Sequence, residues 1–168
     1  VALDRDDESA AAAMLAAAAA ENPRRLVVLG PFLSDHLGRL KSLIEGLRLR
    51  DPVIAAPCDP WAALGGAERV YSLGGEIGFF GLLAGLPVAC FGPAFYAGWG
   101  VTDDAAAVPR REFARGIDEI FAGACLLATR YIDPFRQVPT SFEEALALVA
   151  DWRAQERANR EIGVCVGM

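Results

Sequence analysis

Two glycine-bearing junctions and one aromatic loop hold the residues whose types and spacing could do chemistry. In Leu73-Gly74-Gly75-Glu76, two glycines stand between an apolar run of strand length and a helical pattern. Backbone N–H groups there could close on a phosphate with no side chain in the way. Glu76 opposes this in part, because a carboxylate in a first helical turn competes for the positive helix end, at about 0.3–1 kcal/mol when exposed. Leu29-Gly30-Pro31 is a second strand-to-turn junction, equally readable as an ordinary turn. The third place is Pro93 to Asp104, where Phe95, Tyr96 and Trp99 are interleaved with Gly98 and Gly100 and followed by Asp103 and Asp104. The glycines deny a 2 or 3.6 residue period, so a shaped loop is expected.

These places need a scaffold, and the chain supplies alternating strand and helix patterns. Val1 to Asp4 reads as the end of a strand, and the alanine-rich segment Glu8 to Glu21 as a helix that stops before Pro23. Short apolar runs at Arg25–Leu29, Val53–Ala56, Arg69–Leu73 and Val88–Phe91 read as strands. Between them, a helix capped by Ser34 or Asp35 runs to about Arg48, with Leu37, Leu40, Leu43, Ile44 and Leu47 on one face. Asp59 caps a short helix over Trp61 to Leu64, and Glu76 to Ala84 forms a helix closed by Gly85. Strands separated by helices predict parallel pairing with right-handed crossovers, hence an α/β fold with a Rossmann-like, doubly wound parallel sheet. Ligands of such sheets bind at the carboxyl ends of the strands, where both glycine junctions fall.

Beyond the loop, Arg110 to Gly116 is expected to be exposed and Ile117 to Arg130 helical. Thr140-Ser141-Phe142-Glu143-Glu144 carries a capping box in two registers, opening a helix towards Arg160. Phe142, Leu146, Val149 and Trp152 have core spacing on it, and Trp152 is expected in the core. The division expected is a binding-type domain over residues 1–137 and a C-terminal helix and tail over 138–168.

Composition narrows the function classes. The chain has 168 residues, 54% hydrophobic and 23% charged, and carries a formal charge of -6. That excludes nucleic acid as a general partner, since neutralising phosphates needs a basic surface. Residues 77 to 101 lack charge, but six glycines and two prolines break them up, so no transmembrane helix is expected. Cys58, Cys90, Cys125 and Cys165 form no CxxC pair and read as buried thiols of a reducing compartment. With His36 the single histidine, neither a zinc site nor a cofactor is expected. The location read from this is the cytoplasm, with peripheral association at the inner membrane left open.

The loop Phe95 to Asp104, together with Gly78-Phe79, Leu82-Leu83-Ala84-Gly85, Pro87-Val88 and Arg130-Tyr131-Ile132-Asp133-Pro134, resembles the bacterial capsule polysaccharide glycosyltransferases that add β-linked Kdo. The resemblance implies one Rossmann-like half of a two-domain, GT-B-like enzyme. It further implies a CMP-sugar donor of Kdo type, a glycan or glycolipid acceptor, and an N-terminal partner domain. The donor-contacting positions it implies are Gly30, Pro31, Gly74, Gly75, Glu76, Tyr96, Trp99 and Asp103. Three departures accompany it. The family's His-Pro stands here as Gly30-Pro31, its Ser/Thr-Ser as Gly74-Gly75, and its ribose-binding glutamate as Phe80. His36 is a candidate substitute for the histidine, and Asp4, Asp6 and Asp7 lie near acidic positions of the family, with a solvated acidic turn as their simpler reading. No side chain is assigned as catalytic.

Two functions follow as expectations: the donor-binding half of a capsule glycosyltransferase, or a catalytically degenerate accessory module of the same pathway. An unrelated small-ligand α/β domain is the third. The length suits one half of a two-domain enzyme, and Val1 opens within a strand-turn-helix passage, so a fragment of a longer protein is expected.

Overall fold

The computed structural model describes residues 5–21, 25–29, 41–42, 44–46, 53–55, 59–105, 108–109 and 111–161. Val1 to Asp4, Gly30, Pro31, His36, Leu37, Leu40, Leu43, Leu47, Cys58, Arg110 and Cys165 lie outside them. The chain divides into two compact units, residues 1–117 and 118–168.

The first unit opens with α1, Arg5–Ala20, whose alanines favour the helix and whose Ala11, Leu15 and Ala18 are buried at i, i+4, i+7 spacing. Asp6 and Asp7 fall within this helix, not in a turn before it. Strands β1 (Val27–Leu29) and β2 (Val53–Ala55) pair in parallel, Val27 opposite Val53. Residues 41–42 and 44–46 between them are helical, and Ile44 is buried as its spacing predicts. Helix α2, Pro60–Leu64, starts where Asp59 Oδ1 accepts a hydrogen bond from Trp61 N at 3.2 Å, with proline in the first turn, where its missing N–H costs nothing.

The sheet that positions the loop has the order β3-β4-β5, all parallel. β3 is Val70–Ser72, α3 is Glu76–Leu83 and β4 is Val88–Cys90. The residues of β4 are buried throughout, as in a strand covered on both faces. Helix α3 ends in a Schellman motif: Gly85 has φ +74°, Gly85 N donates to Leu82 O at 3.0 Å, and Leu86 N donates to Gly81 O at 2.9 Å. Gly81 lies so close to Val70 and Val88 that a Cβ there would meet Val70 Cγ2 at 2.9 Å, which seats the helix tightly on the strands.

The third strand, β5, is Asp103–Asp104, paired to Ala89 and Cys90. The sequence reading placed both acids in the loop. Residues 91–102, near the minimum length of a parallel crossover, instead make the connection without a helix. The aromatic loop is thus itself the link between neighbouring strands of one sheet.

In the second unit, α4 (Ile117–Phe121) widens into a π-helical segment over Ala122–Ala128, so the continuous helix expected to Arg130 is shortened and distorted. An antiparallel hairpin follows, β6 (Tyr131–Asp133) and β7 (Val138–Thr140), which the sequence reading did not anticipate. The buried Asp133 carboxylate accepts from Phe135 N at 2.8 Å and Arg136 N at 3.1 Å and so shapes the turn. Helix α5, Phe142–Glu161, uses the second of the two capping registers: Glu144 N donates to Ser141 Oγ at 3.1 Å and Ser141 N to Glu144 Oε2 at 3.3 Å.

The core expected along α5 is not buried. Leu146, Val149 and Trp152 are 57%, 47% and 54% exposed, and Ile132 and Phe135 of the hairpin are exposed as well. Their spacing is that of an apolar helix stripe, yet among the described residues no element of this unit covers it. Phe142 is the exception, held edge-on by Phe121 and Tyr131 at 5.7 and 5.5 Å between centroids.

Candidate functional site

The site is built at the carboxyl edge of β3 and β4. Each strand ends in a glycine turn, and the two turns are pressed together. A Cβ on Gly74 would lie 2.3 Å from Pro93 O, and one on Gly92 would lie 2.1 Å from Leu73 O. Gly74 also has φ +105°, a backbone conformation that a residue with a side chain avoids. Gly74 is therefore required by both its own conformation and its neighbour.

Tyr96 joins this edge to the aromatic loop. It is fully buried, and its hydroxyl donates to Gly75 O at 2.7 Å and lies 3.0 Å from Ser72 Oγ. Ser72 Oγ in turn accepts from Gly74 N at 3.1 Å, so the three groups form one closed network around the turn. Space for the phenol comes from Gly78, where a Cβ would meet the Tyr96 oxygen at 2.2 Å. Phe79 completes the seat, with its ring 4.8 Å from Phe95 and 6.2 Å from Tyr96. Burial first of all pushes the Tyr96 hydroxyl up to about 12, so it is a neutral donor at physiological pH. Burial also pushes the Cys90 thiol up, and the thiol donates to Gly92 O at 3.2 Å; it is a packed group, not a nucleophile.

The far half of the loop is fastened by two groups. Asp104 accepts from Gly98 N at 2.9 Å and from Thr102 Oγ1 at 2.8 Å. Arg111 donates to Ala94 O at 2.9 Å, and its guanidinium sits 4.9 Å from the Trp99 ring centroid. Trp99 Nε1 donates to Phe95 O at 2.8 Å, so the indole is held at its edge by the loop and over its ring by Arg111.

Of the positions expected at a donor, Gly74, Gly75 and Tyr96 are brought together, with Glu76 exposed in the first turn of α3. Trp99 belongs to the same loop. Asp103 points elsewhere: successive strand residues face opposite ways, and its carboxylate pairs with Arg69, which also lies 3.7 Å from Glu21. Gly30 and Pro31 lie outside the described residues. Sequence reasoning missed Ser72, Asp104 and Arg111. Strand alternation could have flagged Ser72 as a buried hydroxyl beside the glycines, whereas nothing local marks Arg111, which acts 17 positions from Ala94. Among the described residues no group of three or more His, Cys, Asp or Glu could hold a metal ion, and no helix is long and apolar enough to cross a membrane.

The same stretch of chain is what known proteins share. A family model described as capsule polysaccharide biosynthesis protein matches residues 54–132, from β2 through the glycine turns and the loop to β6. Residues 54–132 belong to a capsule polysaccharide biosynthesis family. Its relatives include the capsule polysaccharide modification protein LipA of Neisseria meningitidis serogroup A, 30% identical over 137 residues, covering 78% of this chain and 19% of that protein. The lipopolysaccharide-processing protein LpsZ of Rhizobium meliloti is 37% identical over 113 residues, covering 66% and 26%. Among solved structures, the KpsC beta Kdo 2,7 transferase of Thermosulfurimonas dismutans superposes with a TM-score of 0.61 at 25% identity, over 84% of this chain and 60% of that one. The beta Kdo 2,4 transferase of the same protein shares the fold, with a TM-score of 0.55 at 22% identity. The chain thus spans about a quarter or less of the length of the curated relatives it matches.

Proposed function

We propose that this chain is the donor-binding half of a capsule polysaccharide glycosyltransferase, with a GT-B-like, doubly wound Rossmann core and a CMP-linked, Kdo-like sugar as donor. The observation that carries the reading is the Tyr96 hydroxyl bonded to Gly75 O, which fastens the aromatic loop onto the carboxyl edge of the parallel sheet. That edge is where ligands of such sheets bind. Gly75 caps α3 without a side chain and has open space around its Cα, so the helix's first N–H groups face outward beside the loop. The structural likeness to a beta Kdo transferase supports the sugar class.

The acceptor is a glycan or glycolipid, and the protein works in the cytoplasm, peripheral to the inner membrane. An N-terminal partner domain supplies the opposite wall of the cleft. Support for that domain comes from the exposed stripe Leu146, Val149 and Trp152, which is apolar surface awaiting cover.

A second reading, an accessory module that has lost donor use, is favoured by one observation. The Gly74 turn has no room for any side chain, so this fold has been rebuilt around the absence of a hydroxyl there. Isothermal titration with CMP decides between them. Saturable heat with CMP supports the donor reading; no heat with CMP, UMP or GMP from an intact fold removes it and leaves the accessory role.

A further inference from the structure

The geometry points to a second ligand surface in the first unit: an aromatic ledge of Trp61 and Phe80, edged by Glu76 and Asp59, that takes one neutral pyranose ring of a glycan. It goes beyond the donor reading: Glu76 is shared with the proposed donor positions, whereas Trp61 and Asp59 are not.

Trp61 sits in the first turn of α2 and is 49% exposed although it is among the largest side chains in the chain. It is not adrift. Its ring lies 5.5 Å from that of Phe80 on α3, inclined at 47°, so the indole is braced from one side and open on the other. Its backbone is fixed as well, through the bond from Trp61 N to Asp59 Oδ1. A braced, exposed indole is a preorganised contact surface, because little rotamer freedom remains to be lost when a ring settles on it.

The polar edge follows from helix geometry. Glu76 and Phe80 are four residues apart on α3, hence on one face, and a helical side chain leans over the turn preceding it. The Phe80 ring and the indole stacked on it therefore lie beside the turn that carries Glu76. Glu76 and Asp59 are both exposed. A carboxylate only accepts hydrogen bonds, so this edge suits a ligand rich in O–H donors.

Charge selects among such ligands. From Val70 to Pro109 the sequence contains no lysine or arginine, and Arg69 is engaged by Asp103 and Glu21. Glu76 and Asp59 leave the edge of the ledge negative. The side chains of this ledge offer an anion no counter-charge, unlike the first N–H groups of α3 at the glycine turn, so a charged sugar is disfavoured on the ledge itself. A neutral pyranose matches on both counts: its C–H face carries weak positive charge that the negative π-face of indole attracts, and its equatorial hydroxyls reach outward to the carboxylates.

The test uses the full chain and saturation-transfer NMR with methyl β-glucopyranoside and its charged counterpart, methyl β-glucuronide. Transfer to the ring C–H protons of the glucoside, saturating in the millimolar range, is expected. Trp61→Ala should abolish it, and Glu76→Gln should weaken it about three- to tenfold, because a neutral amide oxygen replaces a charged acceptor. The glucuronide should bind more weakly than the glucoside. Absence of transfer in the unaltered chain overturns the proposal, as does equal transfer in Trp61→Ala or tighter binding of the glucuronide. Because Trp61 is exposed, its removal leaves the fold in place, which thermal unfolding checks. Trp61 lies outside the proposed donor positions, so Trp61→Ala should keep its calorimetric response to CMP, and failure of this surface and failure of the donor site are read separately.

Discussion

The phenolic hydroxyl of Tyr96 lies 2.7 Å from Gly75 O and 3.0 Å from Ser72 Oγ, so one buried group ties the aromatic loop to a turn more than 20 positions earlier. Tyr96→Phe keeps the ring and its packing on Phe79 but leaves the part-buried Gly75 carbonyl and the buried Ser72 hydroxyl without that partner. The expected cost is about 1–3 kcal/mol, read as a lower urea midpoint at unchanged slope. The same buried hydroxyl carries a pH signature. Burial raises the folded-state pKa to about 12 from the ordinary 10, so the stability it reflects is fully present below pH 10 and is lost as pH rises towards 12. Tyr71 is raised to about 12 too, first by burial and then by Glu21, so the alkaline loss should shrink in Tyr96→Phe without vanishing.

The two adjacent glycines should respond oppositely to serine. At Gly74 a Cβ meets Pro93 O at 2.3 Å and φ is +105°, so Gly74→Ser should lose at least about 2 kcal/mol from combined strain and overpacking. At Gly75 there is open space and φ is -73°, and the position is a helix N-cap, where serine exceeds glycine by a few tenths of a kcal/mol. Thermal unfolding of both variants checks this; a Gly74→Ser protein as stable as the parent would refute the packing described.

Arg111 fastens the loop through Ala94 O and the Trp99 ring. Arg111→Lys keeps the charge but loses the planar stack and the fixed donor fork, at an expected cost of about 1–2 kcal/mol. The Trp99 indole N–H resonance should shift and residues 93–104 should become sensitive to limited proteolysis, while α1 remains protected.

The start of α5 should be acid-sensitive. The Thr140 hydroxyl, foremost, and the Ser141 N–H hold the Glu144 carboxyl below its ordinary range. A depressed carboxyl contributes stability above its unfolded-state pKa and loses it as pH falls through the folded-state value. Far-UV circular dichroism between pH 5 and 2 should show α5 fraying earlier in Ser141→Ala. At neutral pH that substitution should cost about 1 kcal/mol through loss of the cap.

The apolar stripe of α5 gives a test of the opposite kind. Leu146→Ser with Val149→Ser should change the stability of this chain by no more than about 0.5 kcal/mol per site, because both residues are exposed. Pull-down of the proposed N-terminal partner domain should fall at least tenfold in the same variant. A loss of several kcal/mol would mean that the stripe is core within this chain.

Local chemistry was legible in the sequence. Helix α1, the Asp59 cap, the Gly85 stop, the capping box and every strand of β1 to β4 follow from propensity, turn residues and apolar runs, since each depends on neighbours a few positions away. So did the aromatic loop, because interleaved glycines forbid a repeating backbone. The hairpin β6–β7 escaped notice because a three-residue edge strand containing Pro139 carries almost no alternation to read. Trp152 was misjudged because a helix stripe says which face is apolar but not whether anything covers it.

What only the tertiary structure decided is how distant pieces meet. Asp104 turns inward and Asp103 outward because β5 pairs with β4, an event set by hydrogen bonding across the sheet and invisible along the chain. Gly74 and Gly92 must be glycines because two turns 18 positions apart press backbone to backbone. The sequence alone determined which residue types were available at the carboxyl edge. Close packing between non-neighbours determined which of them face one another, and that is why Ser72, Tyr96 and Arg111 hold the site together.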